Sequence, residues 1–238
     1  MWFGYHPGII EHFPEVAAGV IWVESFLGEA GSSEIDALLA GSETLVRERC
    51  PERAVIAQQP SIAAWRDAYS RMGLKPNRYP CATEQLMRRI VDGNAVPRIS
   101  PLVDLGNTTA LRYMITVAPF DTANIKSFCE VRYARGDQRF WPINGDTPDE
   151  IPEREVIFAD ESRDVISRRW AWRQSDKAKI TPETRQCVIV LEAMHADAHD
   201  TVTDATDFLA SQLRDQLYAS LRWDVIEKTI HCSYRVPN

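Results

Sequence analysis

The chain has 238 residues, of which 45% are hydrophobic and 26% charged, a balance typical of a folded globular protein and not of a disordered one. Its longest apolar stretch, Val16 to Trp22, is interrupted by Gly19 and is far shorter than the ~20 residues of a membrane-spanning helix. The formal net charge of −7 argues against a protein that coats DNA or RNA through phosphate contacts, because such proteins are usually basic.

The first half of the chain predicts one strand followed by helices. Periodicity indicates them in this order: a strand over Ala18–Glu24 and helices over Ser32–Arg49, Pro60–Met72, a short segment after Thr83, and Pro101 to about Tyr113. Thr83 is the expected N-cap of the short helix, with Gly93 just beyond its end. Ser100 precedes a proline, which is a favoured start for a helix.

The second half predicts short strands and a closing helix. Strands are predicted over Phe128–Tyr133, Gln138–Trp141, Glu155–Ala159, Val165–Trp170 and Cys187–Ala193, and an amphipathic helix over Thr203–Leu221. The segments 135–137 and 160–164 have the composition of hairpin connections. Helices first, then strands, then a helix favour the α+β class.

Cysteine usage and the N-terminus predict a cytoplasmic protein. The five cysteines are far apart and form no C-x-x-C pair, which argues against a disulfide framework and a zinc ribbon. The first 13 residues lack the basic start and long apolar run of a signal peptide. The sequence also contains no G-x-x-x-x-G-K-[ST], G-x-G-x-x-G, H-E-x-x-H or G-x-S-x-G motif, so the common motifs for ATP, NAD, zinc-protease and α/β-hydrolase function are absent.

Two segments could carry chemistry but have simpler interpretations. His195, Asp197, His199 and Asp200 could hold a divalent metal, yet their position before a helix favours a polar loop whose aspartates stabilise the helix N-terminus. Cys187 could be a nucleophile, yet a cysteine within an apolar strand is usually inert. We therefore predict neither a metal site nor a catalytic thiol.

A tryptophan and arginine cluster is less ordinary. On a strand, Trp170 and Trp172 would share one face, and Arg169 and Arg173 the other. Flat aromatic rings beside guanidinium groups suit stacking on a base, or binding a carboxylate or phosphate. A core tryptophan pair with solvated arginines is the alternative, and the pattern leaves the two interpretations equally open.

Asp104 and Asn107 form the second informative pair, because residues three apart lie on one face of a helix. The surrounding leucines and valine predict an apolar environment, in which an aspartate and an asparagine need hydrogen-bond partners. Structural capping and ligand binding both satisfy that need.

These residues belong to a longer run with a known counterpart. The run Leu102-Val103-Asp104-x-x-Asn107, followed by Phe120-Asp121 and Ile125, resembles the L-V-D-x-x-N … F-D-x-x-x-I run of the beta subunit of phenylalanyl-tRNA synthetase. That run opens the B3/4 domain, which hydrolyses tyrosine wrongly attached to the tRNA. Further segments resemble the stand-alone B3/4 proteins of bacteria: Trp65-Arg66, Leu74-Lys75-Pro76, 84–89, 97–101, 169–174 and 181–185. The resemblance spans roughly residues 61–208.

The sequence departs from this pattern at two positions. The synthetase has a histidine shortly before its F-D pair, where this chain has Ala118. The stand-alone proteins carry G-G-E after a strand, where this chain has Arg135-Gly136-Asp137 and so keeps a carboxylate with one methylene less. Glu155 keeps the other acidic position of the family.

The resemblance implies an α+β fold with a central mixed β-sheet flanked by helices, and a pocket for an amino acid or the aminoacyl end of a tRNA. Residues 1–60 would form an N-terminal part of the same fold, 61–210 the B3/4-like domain and 211–238 a helix end and tail. The resemblance implies neither a cofactor nor a metal. An amino acid or aminoacyl-tRNA is the expected partner, with weak RNA contact where basic residues exceed acidic ones between Arg66 and Arg98.

The expected activity is hydrolysis of mischarged aminoacyl-tRNA by an oriented water, not by a covalent nucleophile. The resemblance assigns the expected catalytic roles to Asn107, Asp137 and Glu155, and the substrate-binding roles to Asp104, Asp121, Gly136, Arg169, Trp170, Trp172 and Arg173. A module that binds an amino acid or RNA without catalysis is the alternative, and Ala118 favours it slightly.

Overall fold

Two β-sheets with helices packed on them make up the structure, a computed structural model that describes residues 1–27 and 32–226. The helices in these ranges are α1 (Pro7–His12), α2 (Ser32–Arg49), α3 (Arg53–Ile56), α4 (Pro60–Arg71), α5 (Ala82–Val91), α6 (Pro101–Tyr113) and α7 (Ala198–Leu217). The strands are β1 (Trp2–Tyr5), β2 (Ala17–Ser25), β3 (Thr116–Asp121), β4 (Phe128–Tyr133), β5 (Arg139–Phe140), β6 (Asp149–Glu150), β7 (Val156–Ala159), β8 (Ser167–Arg168), β9 (Arg173–Gln174), β10 (Cys187–Ala193) and β11 (Ser220–Ile226).

The first sheet is antiparallel and has the strand order β11-β2-β10-β3. Its strand β10 lies between β2 and β3, and all 7 of its residues are buried because the sheet is covered on both faces. The predicted central strand over Cys187–Ala193 is confirmed residue for residue. Strand β3 forms one edge of this sheet, and that edge becomes a wall of the cavity described below.

The second sheet is mixed and has the order β1-β4-β7-β8-β9, with β1 parallel to β4 and the other pairs antiparallel. Strands β5 and β6 form a separate small hairpin. Helices pack around these sheets, so the predicted α+β class and the mixed sheet are confirmed. Among the described residues, none of the helices contains a segment that is long enough and apolar enough to cross a bilayer.

Strand β10 separates two hydrophobic clusters. Val188 and Val190 point into a cluster shared with both sheets and α4, whereas Ile189 and Leu191 point into a cluster shared with α7. This alternation follows from the two-residue period of a strand. Glu192 lies on the same face of β10 as Val188 and Val190, so its side chain is directed toward the first cluster.

Three sequence-based predictions about the elements are wrong. Thr83 is not the N-cap of α5: Cys81 takes that position, and the Thr83 hydroxyl inside the helix donates to the Ile115 carbonyl at 2.7 Å. Helix α7 begins at Ala198 and ends at Leu217, and Leu221 belongs to β11, because helical spacing cannot distinguish a buried strand residue from the next helical position.

The third error concerns the tryptophans, which do not lie on a strand. Strand β8 ends at Arg168, and residues 169–172 form a tight turn into β9. Arg169 and Trp170 adopt left-handed backbone conformations, with φ of 48° and 55°. The local alternation suited a strand, but the hydrogen bonds that hold this turn come from residues distant in the chain.

We expect Gly19→Ala to lower the free energy of unfolding by roughly 1–3 kcal/mol, because overpacking forces a core to shift. A Cβ at Gly19 would lie 1.9 Å from the Thr206 hydroxyl oxygen on α7. Gly41→Ala is the matched control. A Cβ there meets nothing within 4 Å, and alanine in a helix stabilises by about 0.5–1 kcal/mol relative to glycine. Urea unfolding of both variants measures this, and equal effects would contradict the close β2–α7 contact.

Candidate functional site

A cavity of about 490 Å³ lies between the edge strand β3, helices α5 and α6 and the turn that follows β8. Its wall is mostly apolar and includes Leu86, Val103, Val117, Pro119, Phe120 and Phe158. Two exposed isoleucines, Ile99 and Ile143, stand at its mouth with 65% and 47% of their surface accessible. A cavity with these walls accepts an apolar or aromatic group of a small ligand.

Glu192 gives this cavity a carboxylate. Its side chain belongs to the cavity wall, and the residue is only 2% exposed. One carboxylate oxygen, Oε1, accepts a hydrogen bond from the Tyr5 hydroxyl at 2.6 Å and another from the Trp170 indole nitrogen at 2.8 Å. None of the basic residues in the described ranges forms an ion pair with Glu192, so these two neutral donors replace a cation.

Burial raises the pKa of Glu192 to about 7, while the hydrogen bonds from Tyr5 and Trp170 oppose the rise. Burial also raises the pKa of the Tyr69 hydroxyl and of the Cys129 thiol, both of which lie in the field of Glu192. A carboxyl group with this pKa changes charge near neutral pH, so it can bind a hydrogen-bond donor of a ligand or accept a proton.

The turn at residues 169–172 brings aromatic and basic groups to the cavity. Trp170 is fully buried and reaches Glu192, whereas Trp172 and Arg173 are accessible and line the mouth. The Arg169 guanidinium lies 4.2 Å from the Tyr79 ring centroid and 4.5 Å from that of Trp172. The Arg173 guanidinium lies 4.4 Å from the Trp172 centroid. The mouth therefore carries a cation–π cluster with positive charge.

Glu155 holds this turn and does not line the cavity. Its two carboxylate oxygens accept hydrogen bonds from the Arg168 guanidinium, both at 3.0 Å, and Oε1 also accepts from the Arg169 backbone N–H at 3.1 Å. The side chain of Glu155 is 7% exposed. Its position favours a structural role, because these contacts stabilise the left-handed conformation of Arg169 and Trp170.

Asn107 and Asp104 lie on α6, but only Asn107 is on the cavity wall. Asp104 is buried, and its Oδ1 accepts a hydrogen bond from the Ile99 backbone N–H at 3.1 Å. Burial raises the pKa of Asp104. Asp104 thereby positions the segment that carries Ile99 at the cavity mouth, and Asn107 is the polar side chain that α6 presents to a ligand.

The remaining sequence candidates lie outside the cavity wall. Asp121 ends β3, where its carboxylate accepts hydrogen bonds from the Ala123 N–H at 2.8 Å and from the Thr184 hydroxyl. Gly136 has φ of 85°, which glycine adopts without strain, in the turn after β4. Asp137 is exposed, and its carboxylate lies 3.5 Å from the Arg163 guanidinium.

The histidine cluster lies on another part of the surface. His195 precedes α7 and His199 lies in its first turn, and burial lowers the pKa of His195. No group of three potential His, Cys, Asp or Glu ligands comes together anywhere in the described residues. Cys187 is fully buried, and burial raises the pKa of its thiol far above its ordinary value, which suits an inert core residue.

Among the residues that sequence reasoning missed are Glu192 in the cavity wall and two tyrosines beside the site, Tyr5 and Tyr79. A signal for Glu192 was present, because it is the one charged residue in the apolar segment 187–193, and a buried charge needs partners. No local signal marked Tyr5, which lies 187 residues from Glu192.

Comparison with known proteins identifies the family. The model of the B3/4 domain family matches residues 64–212, more than half of the chain, so the protein belongs to the B3/4 domain family. None of the curated proteins matches the chain. An N-terminal fragment of the phenylalanyl-tRNA synthetase beta-subunit from Pyrococcus horikoshii is a similar solved structure, with a TM-score of 0.48 and 11% identity. The match covers 92% of this chain and 50% of that chain, so this chain spans about half its length.

We expect Glu192→Gln to remove a pH dependence of stability. Because burial raises the pKa of Glu192 from 4.5 to about 7, the folded protein holds this proton more tightly than the unfolded chain does. The stability that the proton contributes is full below pH 4.5 and is lost as the pH rises through about 7. The difference in unfolding free energy, wild type minus Glu192→Gln, should fall by roughly 3 kcal/mol between about pH 4 and pH 8. Denaturant unfolding across this range measures it, and a constant difference would contradict the raised pKa.

Proposed function

We propose that this protein binds the aminoacyl end of a mischarged tRNA and hydrolyses the ester that links the amino acid to the RNA. The observation that carries the proposal is a cavity of about 490 Å³ that has a buried carboxylate, Glu192, in its wall and an exposed arginine, Arg173, in its lining. The membership of the B3/4 family supports the same substrate class.

The cavity favours an amino acid side chain as the buried part of the ligand. Its apolar wall, with Phe120 and Phe158, suits a hydrophobic or aromatic side chain. Glu192 adds one polar contact, which a side chain with an O–H or N–H group satisfies and a purely apolar side chain leaves unsatisfied. Leaving a buried charged group without its partner costs about 1–3 kcal/mol or more, so the carboxylate favours the polar member of a pair of otherwise similar side chains.

The hydrolytic step in this proposal uses a water molecule. Asn107 is the one of the three expected catalytic residues that lines the cavity, and its amide can orient a water toward the ester carbonyl. The wall also contains Ser167, but its hydroxyl lies 2.7 and 2.9 Å from the Trp170 and Arg173 carbonyl oxygens, and its one proton is donated within this turn. A serine whose hydroxyl is engaged by backbone carbonyls argues for oriented water and against a covalent intermediate.

The mouth of the cavity favours an RNA end over a free amino acid. Arg173, which lines the cavity, forms no ion pair with any residue that the structure describes, whereas the Arg169 guanidinium lies 3.7 Å from the Glu155 carboxylate. Positive charge at the mouth attracts a phosphate locally, although the net charge of the whole chain is −7. The exposed Ile99 and Ile143 offer contact to a ligand that extends beyond the cavity.

A binding module without catalysis is the second candidate. Ala118 lies on the cavity wall, at the position where the resemblance places the histidine of the synthetase. A methyl group there supplies neither a proton acceptor nor a hydrogen bond to a water. If the protein only binds, a free amino acid should raise its melting temperature while no aminoacyl-tRNA is hydrolysed.

We expect the purified protein to release an amino acid from at least one mischarged tRNA without ATP or added metal. Asn107→Ala should lower the rate by ~10²-fold, because loss of one positioned hydrogen bond has effects of that size. Asp137→Asn tests the catalytic role that the sequence predicts for an exposed side chain outside the cavity. Rates measured on a panel of mischarged tRNAs, including tyrosyl charges, provide the test. Binding of amino acids without any hydrolysis would leave only the second candidate.

We expect Arg173→Gln to weaken binding of a 3′-CCA RNA and to lower its salt dependence. One lost phosphate contact reduces the slope of log K against log salt by about 0.7 for a single strand. Arg214→Gln is the matched control, because Arg214 is also exposed and its guanidinium also lies 4.4 Å from a tryptophan ring centroid, that of Trp223. Equal slopes for the two variants would remove the cavity mouth from RNA binding.

A further inference from the structure

Tyr5 binds the carboxylate of the cavity wall from a part of the chain outside the B3/4 match. It ends β1, and residues 64–212 carry the family match. Strand β1 belongs to the mixed sheet, where Tyr5 pairs in register with Val131, whereas Glu192 belongs to the antiparallel sheet. The hydrogen bond of 2.6 Å between the Tyr5 hydroxyl and Glu192 Oε1 therefore joins the two sheets.

The two oxygens of the Glu192 carboxylate have different surroundings. Oε1 accepts from both Tyr5 and Trp170, which fills its two lone-pair directions. Oε2 accepts no hydrogen bond from any residue that the structure describes. Because it has no partner and is still not a fully buried unpaired atom, part of its surface is accessible. Because Glu192 lines the cavity and Oε1 is already occupied by Tyr5 and Trp170, Oε2 is the oxygen left to accept a hydrogen bond from a ligand.

We propose that Tyr5 is a positioning residue of this site: by occupying Oε1, its hydroxyl presents Oε2 alone to the ligand and makes the cavity selective for a side chain that donates one hydrogen bond. The selectivity rests on the proposed function, since it concerns the amino acid bound in the same cavity. The positioning of Glu192 does not, because it concerns contacts within the protein.

Of the two donors to Glu192, Tyr5 is the one whose hydrogen bond can be removed without disturbing the packing of the core. The other donor, Trp170, is fully buried and packs against the rings of Phe13 and Trp65 at 5.1 and 5.3 Å, so its loss would disturb the core. The other titratable groups near Glu192 are Tyr69 on α4 and Cys129 on β4, and burial raises the pKa of both. Neither carries a charge at neutral pH.

The first experiment tests the positioning without any ligand. We expect Tyr5→Phe to move the pH at which Glu192 ionises upward by about one unit, because a hydrogen bond that favours the anion is lost. The measurement is the pH dependence of the unfolding free energy, with each protein compared with the same protein carrying Glu192→Gln. Tyr113→Phe is the matched control, since Tyr113 is a half-buried tyrosine whose ring packs against Phe208, in the cluster on the other side of β10.

The second experiment tests the selectivity with ligand pairs that differ by one donor: L-tyrosine against L-phenylalanine, and L-threonine against L-valine. We expect the wild type and Tyr113→Phe to bind the hydroxyl member of at least one pair about tenfold more tightly, and Tyr5→Phe to lose most of that preference. Calorimetric dissociation constants at pH 6 and pH 8 measure it. The preference is read as a ratio, so a general loss of stability in the variant does not produce the result.

The outcomes separate the two proposals. If Glu192 ionises at the same pH in Tyr5→Phe as in Tyr113→Phe, the positioning role is overturned. If the ionisation shifts but the preference between paired ligands does not change, the selectivity is overturned. If no amino acid binds the wild type, the proposed ligand class is wrong, while the pH measurement still decides the role of Tyr5.

Discussion

A buried carboxylate held by neutral donors is the contact on which this site depends. An isolated carboxylate inside a protein is costly, and Glu192 is 2% exposed without an ion pair to any basic residue of the described ranges. Its stability in that position requires β1, which supplies Tyr5, and the turn after β8, which supplies Trp170. The two sheets and the turn must therefore be assembled correctly before the cavity has its polar group.

The turn at residues 169–172 connects the floor of the cavity to its mouth. Because Arg169 and Trp170 adopt left-handed conformations, two tryptophans that are two residues apart face different environments. Trp170 enters the core and binds Glu192, and Trp172 remains at the surface between arginines. Glu155 maintains this geometry through the Arg168 guanidinium and the Arg169 N–H, although it lies outside the cavity itself.

The distribution of charge suits the two ends of the cavity to different parts of the proposed ligand. The inner end has one ionisable group in an apolar wall, which suits recognition of a single polar atom on a side chain. The outer end has arginines stacked on Tyr79 and Trp172, which suits a phosphate backbone whose contacts depend on salt. On a protein with a net charge of −7, such contacts need local positive charge of this kind.

The sequence by itself determined the α+β class, the strands Phe128–Tyr133 and Cys187–Ala193, the helix that begins at Pro101 and the family, because periodicity, capping and short motifs are local properties. It also placed Asn107 and Arg173 among the site residues, and both line the cavity. Only the tertiary structure decided that Trp170 points inward, that Glu155 supports the turn and that Glu192 meets Tyr5. The physical reason is that these contacts depend on strand register and on hydrogen bonds between segments distant along the chain, and no local pattern encodes such contacts.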